Sequence, residues 1–387
     1  MAPGHWYRPP TVAEIRPFRA VRYDEERAGP IAELLALPYD VIGSEEREDY
    51  LAASPYNVVR LILPDSPEEA ARLFSEWQRE GVLVQEEREA VWWLRQDYEG
   101  PDGVRRTRQG LVASLRVEPY ETGIVRPHER TYPGPKRSQL RLLRAVRASL
   151  SPILLLYDDP ECRPRRALEP LAAGEPVFEA VDGRSVNRLW RMTDEEATRE
   201  AVAALRDQSL VIADGHHRYE TALAFHEEDG SESSAYTMAV LANTHGEGLT
   251  IFPTHRVYRE LSTNEDFAVK RPFSAPLAAL RELEQLPRDH PAFVLHERSG
   301  TWIVEAPGER VVDTAVVDRL AADGVRYTPR AEEAVALVDS GDAQAACLLR
   351  APTIEQVTAA ARAGETMPQK STYFYPKLLS GLLFHLV

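Results

Sequence analysis

Cysteine is almost absent from this 387-residue chain. Cys162 and Cys347 are the only two, with no C-x-x-C pair, so a disulfide framework is excluded and a reducing cytoplasm is the expectation. Long apolar runs are also lacking. The opening Met-Ala-Pro-Gly-His-Trp-Tyr-Arg-Pro-Pro offers no stretch that a signal peptide would need. The closing Leu-Leu-Ser-Gly-Leu-Leu-Phe-His-Leu-Val is apolar but too short to span a bilayer, and it reads as a buried terminal helix. No fixed-period repeat, low-complexity tract, Walker A motif or kinase glycine-rich loop occurs, so the standard ATP-binding folds are excluded. Positive charge is in deficit. Lys plus Arg number 46 against 61 Asp plus Glu, a net of -15. Such a chain repels nucleic acid and anionic lipid, so neither is expected as a partner, and any anion site must be a local exception.

What is present suits a globular protein. Hydrophobic residues make up 43%, enough for a sizeable core, and the length accommodates two domains. Apolar runs alternate with amphipathic segments, which predicts an α/β (mixed α+β) fold. Strands are expected at Asn57–Leu63, Ala90–Tyr98, Val104–Val117, Pro152–Tyr157, Ser209–Ala213, Tyr236–Leu241, Ala292–His296, Thr301–Glu305 and Ala343–Arg350. Helices are expected over Pro67–Gly81 and Arg137–Leu150, from a capping box at Thr193 to about Asp207, and from near His217. After Leu261 the polar Thr263-Asn264-Glu265-Asp266 and Arg271-Pro272 suggest a linker. The expected division is 1–262, a phosphate-binding catalytic part, and 263–387, a smaller α/β part.

The strongest local signal is Leu210-Val211-Ile212-Ala213-Asp214-Gly215-His216-His217-Arg218. An apolar strand ends in Asp-Gly and a helix follows at once. Glycine passes a sharp turn that residues with a Cβ resist. The first amides of a helix lack intrahelical partners and carry the positive end of the dipole, which favours an anion. His216, His217 and Arg218 add donors, and Asp214 could hold Mg²⁺ or take a proton. The same residues would also suit a plain helix cap. Adjacent histidines point in different directions, unlike the i, i+4 pair of a zinc helix.

A second signal is Arg126-Pro127-His128-Glu129-Arg130-Thr131-Tyr132-Pro133-Gly134-Pro135-Lys136. Seven basic residues lie between Arg126 and Leu150 against the single acid Glu129, a net of +6. Clustered charge needs an anion or acidic neighbours; for Arg141, Arg144 and Arg147 acidic surface elsewhere is the plainer account. Arg126, His128, Glu129 and Lys136 sit in a Pro/Gly loop, where a carboxylate among cations suits a general base. Three weaker signals add polar groups. Tyr39 and Asp40 precede a helix capped by Ser44, Asn243 opens a polar loop that leads to His255 and Arg256, and the segment Lys370–Lys377 joins hydroxyls, aromatics and lysines.

Together, PYDVI, RPHERT with GPK, SPILLLYDD, ADGHHRYETAL, PTHR and KSTYFYPK with SGL resemble the family called domain of unknown function 1015, from about Arg16 to the C-terminus. More distantly the chain resembles the ParB/sulfiredoxin fold, in which Gly215-His216-His217-Arg218 would take the place of sulfiredoxin's Gly-Cys-His-Arg. His216 stands where the nucleophilic cysteine would be, which argues against peroxiredoxin repair. The resemblance extends to free-serine kinases of that fold. It implies a ParB/sulfiredoxin-like core with a smaller C-terminal part, and phosphoryl transfer to or from free serine with ATP, ADP or pyrophosphate and Mg²⁺. On this reading Glu129 is the base, with His128, Asp214 and His217 also catalytic. Gly215, His216, Arg218, Arg126 and Lys136 would take phosphate, and Tyr39, Asp40, Asn243, His255 and Arg256 the substrate. Glu129 and His217 would line one cleft. The alternative is a ParB-like CTP-binding switch. A small phosphorylated metabolite or nucleotide is the expected partner, and a homodimer is compatible with all of these readings.

Overall fold

The computed structural model describes residues 12–131, 133–183, 185–262, 269–306 and 311–387. The chain is a mixed α/β protein that divides into two compact units: Met1–Pro127, Thr131–Leu249 and Pro376–Val387 form one, His128–Arg130 and Thr250–Tyr375 the other. No helix among the described residues is long and apolar enough to cross a membrane.

Unit one is built on a mixed nine-stranded sheet. From one edge its order is Val125–Arg126, Leu210–Asp214, Ile153–Tyr157, Tyr236–Asn243, Arg105–Arg116, Val91–Glu99, Ser185–Met192 and Phe178–Asp182, with Ile15–Arg16 pairing alongside Arg105–Arg116. Ile153–Tyr157 and Tyr236–Asn243 are fully buried, which is why they read as unbroken apolar runs without alternation. Trp93, Leu111, Leu155, Ile212 and Leu241 share one core face. Helices Pro133–Val146 and His216–Asp229 pack together. Unit two holds a six-stranded antiparallel sheet in the order Val269–Phe273, Gly300–Glu305, Ala292–Glu297, Ala345–Leu348, His255–Ser262, Ala321–Thr328. One face carries Ala279, Leu283, Ala334 and Val338 from two helices, and the other Val316 and Val317.

Several elements depart from the sequence expectation. Asn57–Leu63 is no strand: Val59–Ile62 is a helical turn, held by Asn57, whose Oδ1 accepts from the Val59 amide while its Nδ2 donates to the carbonyls of Glu33 and Leu35. A short, wholly buried apolar run carries no periodicity that separates the two. The terminal segment forms no helix. His385–Leu386 pairs as a strand with Ala148–Ser149, and Gly381 at φ 93° interrupts the run. The basic helix spans Pro133–Val146, because Arg147 adopts φ 55° and ends it before Leu150. Asp194, not Thr193, caps its helix, accepting from the Ala197 amide at 2.8 Å. Gly43, not Ser44, precedes the helix Ser44–Ala53, and Glu46 accepts the Gly43 N–H at 3.0 Å. Arg271 and Pro272 belong to the strand Val269–Phe273, an edge strand, where a proline costs no shared ladder bond. The segment Thr263-Asn264-Glu265-Asp266, the N-terminal ten residues and Tyr132 lie outside the described residues.

Candidate functional site

Strand Leu210–Asp214 runs into helix His216–Asp229 through a single residue, Gly215, at φ 95° and ψ 30°. This left-handed conformation is cheap only for glycine. An added Cβ would also sit 3.0 Å from the guanidinium of Arg218. The helix starts with no side-chain cap. The ladder to Ile153–Tyr157 is irregular between Ile212 and Asp214, and such a bulge re-aims a side chain at the strand's end.

Asp214 is the centre of a part-buried charge cluster. Its Oδ2 accepts from Arg218 Nη2 and its Oδ1 from Lys377 Nζ, each at 2.6 Å. Arg218 also donates to the carbonyl of Pro152. Burial alone would raise the Asp214 carboxyl. The charges of Lys377 and Arg218, with His216 adding to them, hold it well below the usual carboxylate range. A further cation lies close by: Arg108 feels the Asp214 charge and donates from Nη2 to the carbonyl of Pro376, the neighbour of Lys377, at 2.6 Å. Its remaining bonds go to the amide oxygen of Gln96, at 2.9 and 2.6 Å, and Nη1 is buried without a partner. Burial pulls the Arg108 guanidinium down to about 10. Arg218 and Lys377 thus hold the Asp214 carboxylate directly, and Arg108 acts on it only through its charge at longer range. Uncompensated buried charge is costly, and an anion removes the cost.

Tyr39 stands beside this cluster. Burial first, then the charge of exposed Asp40, push its phenol up to about 12. Tyr39 and Arg218 line a mainly apolar cleft of about 50 Å³ with Leu142, Thr221, Ala222 and Phe225. His216 is buried, and His217 is half-buried on the first helical turn. Arg126 extends the strand that runs parallel to Leu210–Asp214, and its Nε donates to the Gly123 carbonyl and Ser209 Oγ, both at 3.1 Å. Lys136 pairs with Glu220 at 3.5 Å, and Thr131 donates to the same carboxylate. Arg144 grips Glu228 at 2.9 and 2.6 Å and Arg147 meets Asp229 at 2.5 Å, so much of the basic segment is neutralised by the acidic side of helix His216–Asp229.

The other expected residues have partners of their own. Asn243 is buried and locks a loop, donating to the Asp159 carbonyl at 2.7 Å. In unit two, His255 Nδ1 accepts the Leu349 N–H at 3.1 Å, and burial pushes this imidazole down to about 4. Arg256 is fully buried and donates to Asp318 and to the carbonyls of Thr254, Gln369 and Lys370. His128 meets Thr372 Oγ1 at 2.9 Å, and Glu129 forms a parallel bridge with Met367. Both belong to unit two. Sequence reasoning missed Arg108 and left Lys377 among the weaker signals. Both oxygens of the Asp214 carboxylate are taken by cations, and among the described residues no group of three or more His, Cys, Asp or Glu could hold a metal.

Residues 15–325 match the model of a family described as Protein of unknown function (DUF1015). No curated protein sequence matches. Among solved structures, a free serine kinase in complex with AMP aligns at TM-score 0.37 and 15% identity, covering 65% of this chain and 83% of that one. A conserved hypothetical protein from Pyrococcus furiosus aligns at 0.36 and 14%, covering 66% and 89%. SbnI with a C-terminal truncation, from Staphylococcus aureus, aligns at 0.36 and 12%, covering 70% and 85%.

Proposed function

The chain belongs to that family, and we propose that its first unit binds the phosphates of a nucleotide or other phosphorylated metabolite at the Asp214–Arg218 turn and transfers a phosphoryl group to a small hydroxy amino acid, or catalyses the reverse. The observation that carries this reading is the part-buried excess of positive charge: Arg218 and Lys377 on Asp214 with buried Arg108 nearby, beside a helix start without a side-chain cap. A phosphate of charge near -2 would balance that excess. Backbone amides of the first turn would take its oxygens, and Lys377 and the unpartnered Nη1 of Arg108 would add charge-assisted bonds. Arg218 would brace the turn from below, since Asp214 and the Pro152 carbonyl already hold its guanidinium. Such a site acts by positioning and electrostatics, which suits phosphoryl transfer. Free serine is the first acceptor to test, from the resemblance to free-serine kinases.

The test titrates ATP, ADP, AMP, CTP and pyrophosphate into the wild-type chain and into Lys377→Met, then follows ³¹P spectra with serine added. Binding that Lys377→Met weakens by about ten- to a hundredfold, followed by a phosphoserine signal, is the expected result. Equal binding in both proteins refutes the anion site. Binding of CTP alone without transfer replaces the enzyme with a nucleotide-controlled switch.

A further inference from the structure

A second cavity in unit one, of about 220 Å³, is untouched by the reading above. Strands Ile153–Tyr157 and Tyr236–Asn243 are neighbours and parallel, so Tyr157 and Asn243 end at the same edge of the sheet, and both line this cavity. Strand Leu210–Asp214 runs antiparallel to Ile153–Tyr157 and sets Asp214 opposite Leu154, near that strand's start. Asp214 and the cavity are therefore set at different levels along these strands, and Arg108 of the anion cluster, between the cavity-lining Thr107 and Gln109, points to the other face of its strand. A crevice beyond the carboxyl ends of adjacent parallel strands is where open α/β sheets receive ligands.

The cavity's frame is held firmly. Asn243 exchanges bonds with the backbone of Asp159, accepting at 3.2 Å and donating at 2.7 Å. The buried Asp159 carboxylate accepts the Arg163 amide at 2.7 Å and so fixes the start of the short helix Arg163–Leu168. On the wall, Arg165 donates to Glu169 at 2.8 Å, and Gln109 donates to the same carboxylate at 2.7 Å. Arg95 and Glu247 complete the charged lining, which holds two cations and two carboxylates. Trp93 also lines the cavity; it is 2% exposed, and its indole N–H is buried with no acceptor in the protein. Buried donors are almost always satisfied, so an orphaned one beside a polar cavity marks the place of an absent acceptor.

We propose that this cavity is a binding site for a free α-amino acid. The volume suits a molecule of that size, and the balanced lining suits a zwitterion better than a net anion. The α-carboxylate would accept from Trp93 Nε1 with Arg95 or Arg165 nearby, and the ammonium would face Glu247. The site stands apart from the anion turn, so an amino acid bound here acts as an effector or as a second ligand.

The proposal is tested by titrating the twenty free amino acids into the full chain, read by calorimetry and by the change in tryptophan fluorescence. One or a few should bind at sub-millimolar to millimolar concentration. Trp93→Phe keeps an aromatic ring and removes the donor, and should weaken that binding about tenfold, as should Gln109→Leu, which leaves Glu169 held by Arg165 alone. Lys377→Met should leave it unchanged, which separates this site from the turn. Absence of binding by every amino acid, or equal binding in Trp93→Phe and Gln109→Leu, overturns the proposal. Loss of binding in Lys377→Met would move the ligand to the turn and likewise overturn it.

Discussion

Both units bury arginines, but they treat them differently. In unit two, Arg350 meets Asp313 through two bonds of 2.8 Å and donates to the carbonyls of Leu286, Pro287 and His290. Arg256 has Asp318 and three carbonyls. In unit one, Arg108 has an amide oxygen, one carbonyl and an orphaned Nη1. A guanidinium with its donors filled by its own chain is a structural tie. A guanidinium buried with a donor to spare is the one to test as a receptor. The motif Pro253-Thr254-His255-Arg256 and the turn after Asp214 look equally functional as strings of letters, and only their partners separate them.

The largest effect should come from cutting a structural tie. Arg350→Met leaves Asp313 and three carbonyls buried without their donor. A loss of about 3–5 kcal/mol in urea unfolding is expected, and a loss below about 1 kcal/mol would erase the contrast between the units. Next comes acid. His255 in unit two and His385 in unit one are both buried and pushed down to about 4. The unfolded value is near 6.5, so the folded state prefers the neutral form. That stability is complete above about pH 6.5 and is lost as pH falls toward 4, roughly 3 kcal/mol for each histidine at the limit. His255→Asn and His385→Asn should each flatten the decline in unfolding midpoint between about pH 6.5 and 4, and an unaltered slope in both would contradict it.

Arg108→Met should do the reverse of Arg350→Met. Removing a buried charge with an unfilled donor offsets part of the lost bonding, so stability should change less than in Arg350→Met. Binding of the phosphorylated ligand should weaken by about 1.5–3 kcal/mol. Calorimetry and urea unfolding on one preparation read both quantities, and a variant that unfolds early but binds normally would make Arg108 a tie after all. The smallest effect is expected at Gly215. Gly215→Ala places a Cβ at φ 95° and 3.0 Å from Arg218, at a cost of about 1–2 kcal/mol. A matching loss of phosphate affinity would show that the turn itself is the receptor, and unchanged affinity would shift that role to the side chains.

The strand, Asp-Gly and helix order around Asp214 was legible because each step has a local cause: an apolar run, a glycine and a polar first turn. The hairpin Val91–Glu99 and Arg105–Arg116 was legible for the same reason. Asn57–Leu63 was not, because its helical turn is decided by carbonyls more than twenty residues away. The closing strand was hidden by a run that is apolar for reasons of burial alone, and its partner, Ala148–Ser149, is distant in sequence. Arg108 was invisible for another reason. In Arg105-Arg106-Thr107-Arg108-Gln109 it is one arginine of three, and only the buried face of the sheet sets it apart. Lys377 stood out by its company of hydroxyls and aromatics, but its bond to Asp214 spans 163 positions.

That span has a consequence for synthesis. Lys377 follows the whole of unit two in the chain, so on the ribosome the Asp214 turn emerges early and waits, on the order of ten seconds, for its second cation. During that interval the nascent first unit holds Asp214 with Arg218 alone and lacks its closing strand. Chaperones would meet a first unit whose charge cluster stays unfinished until Lys377 has emerged.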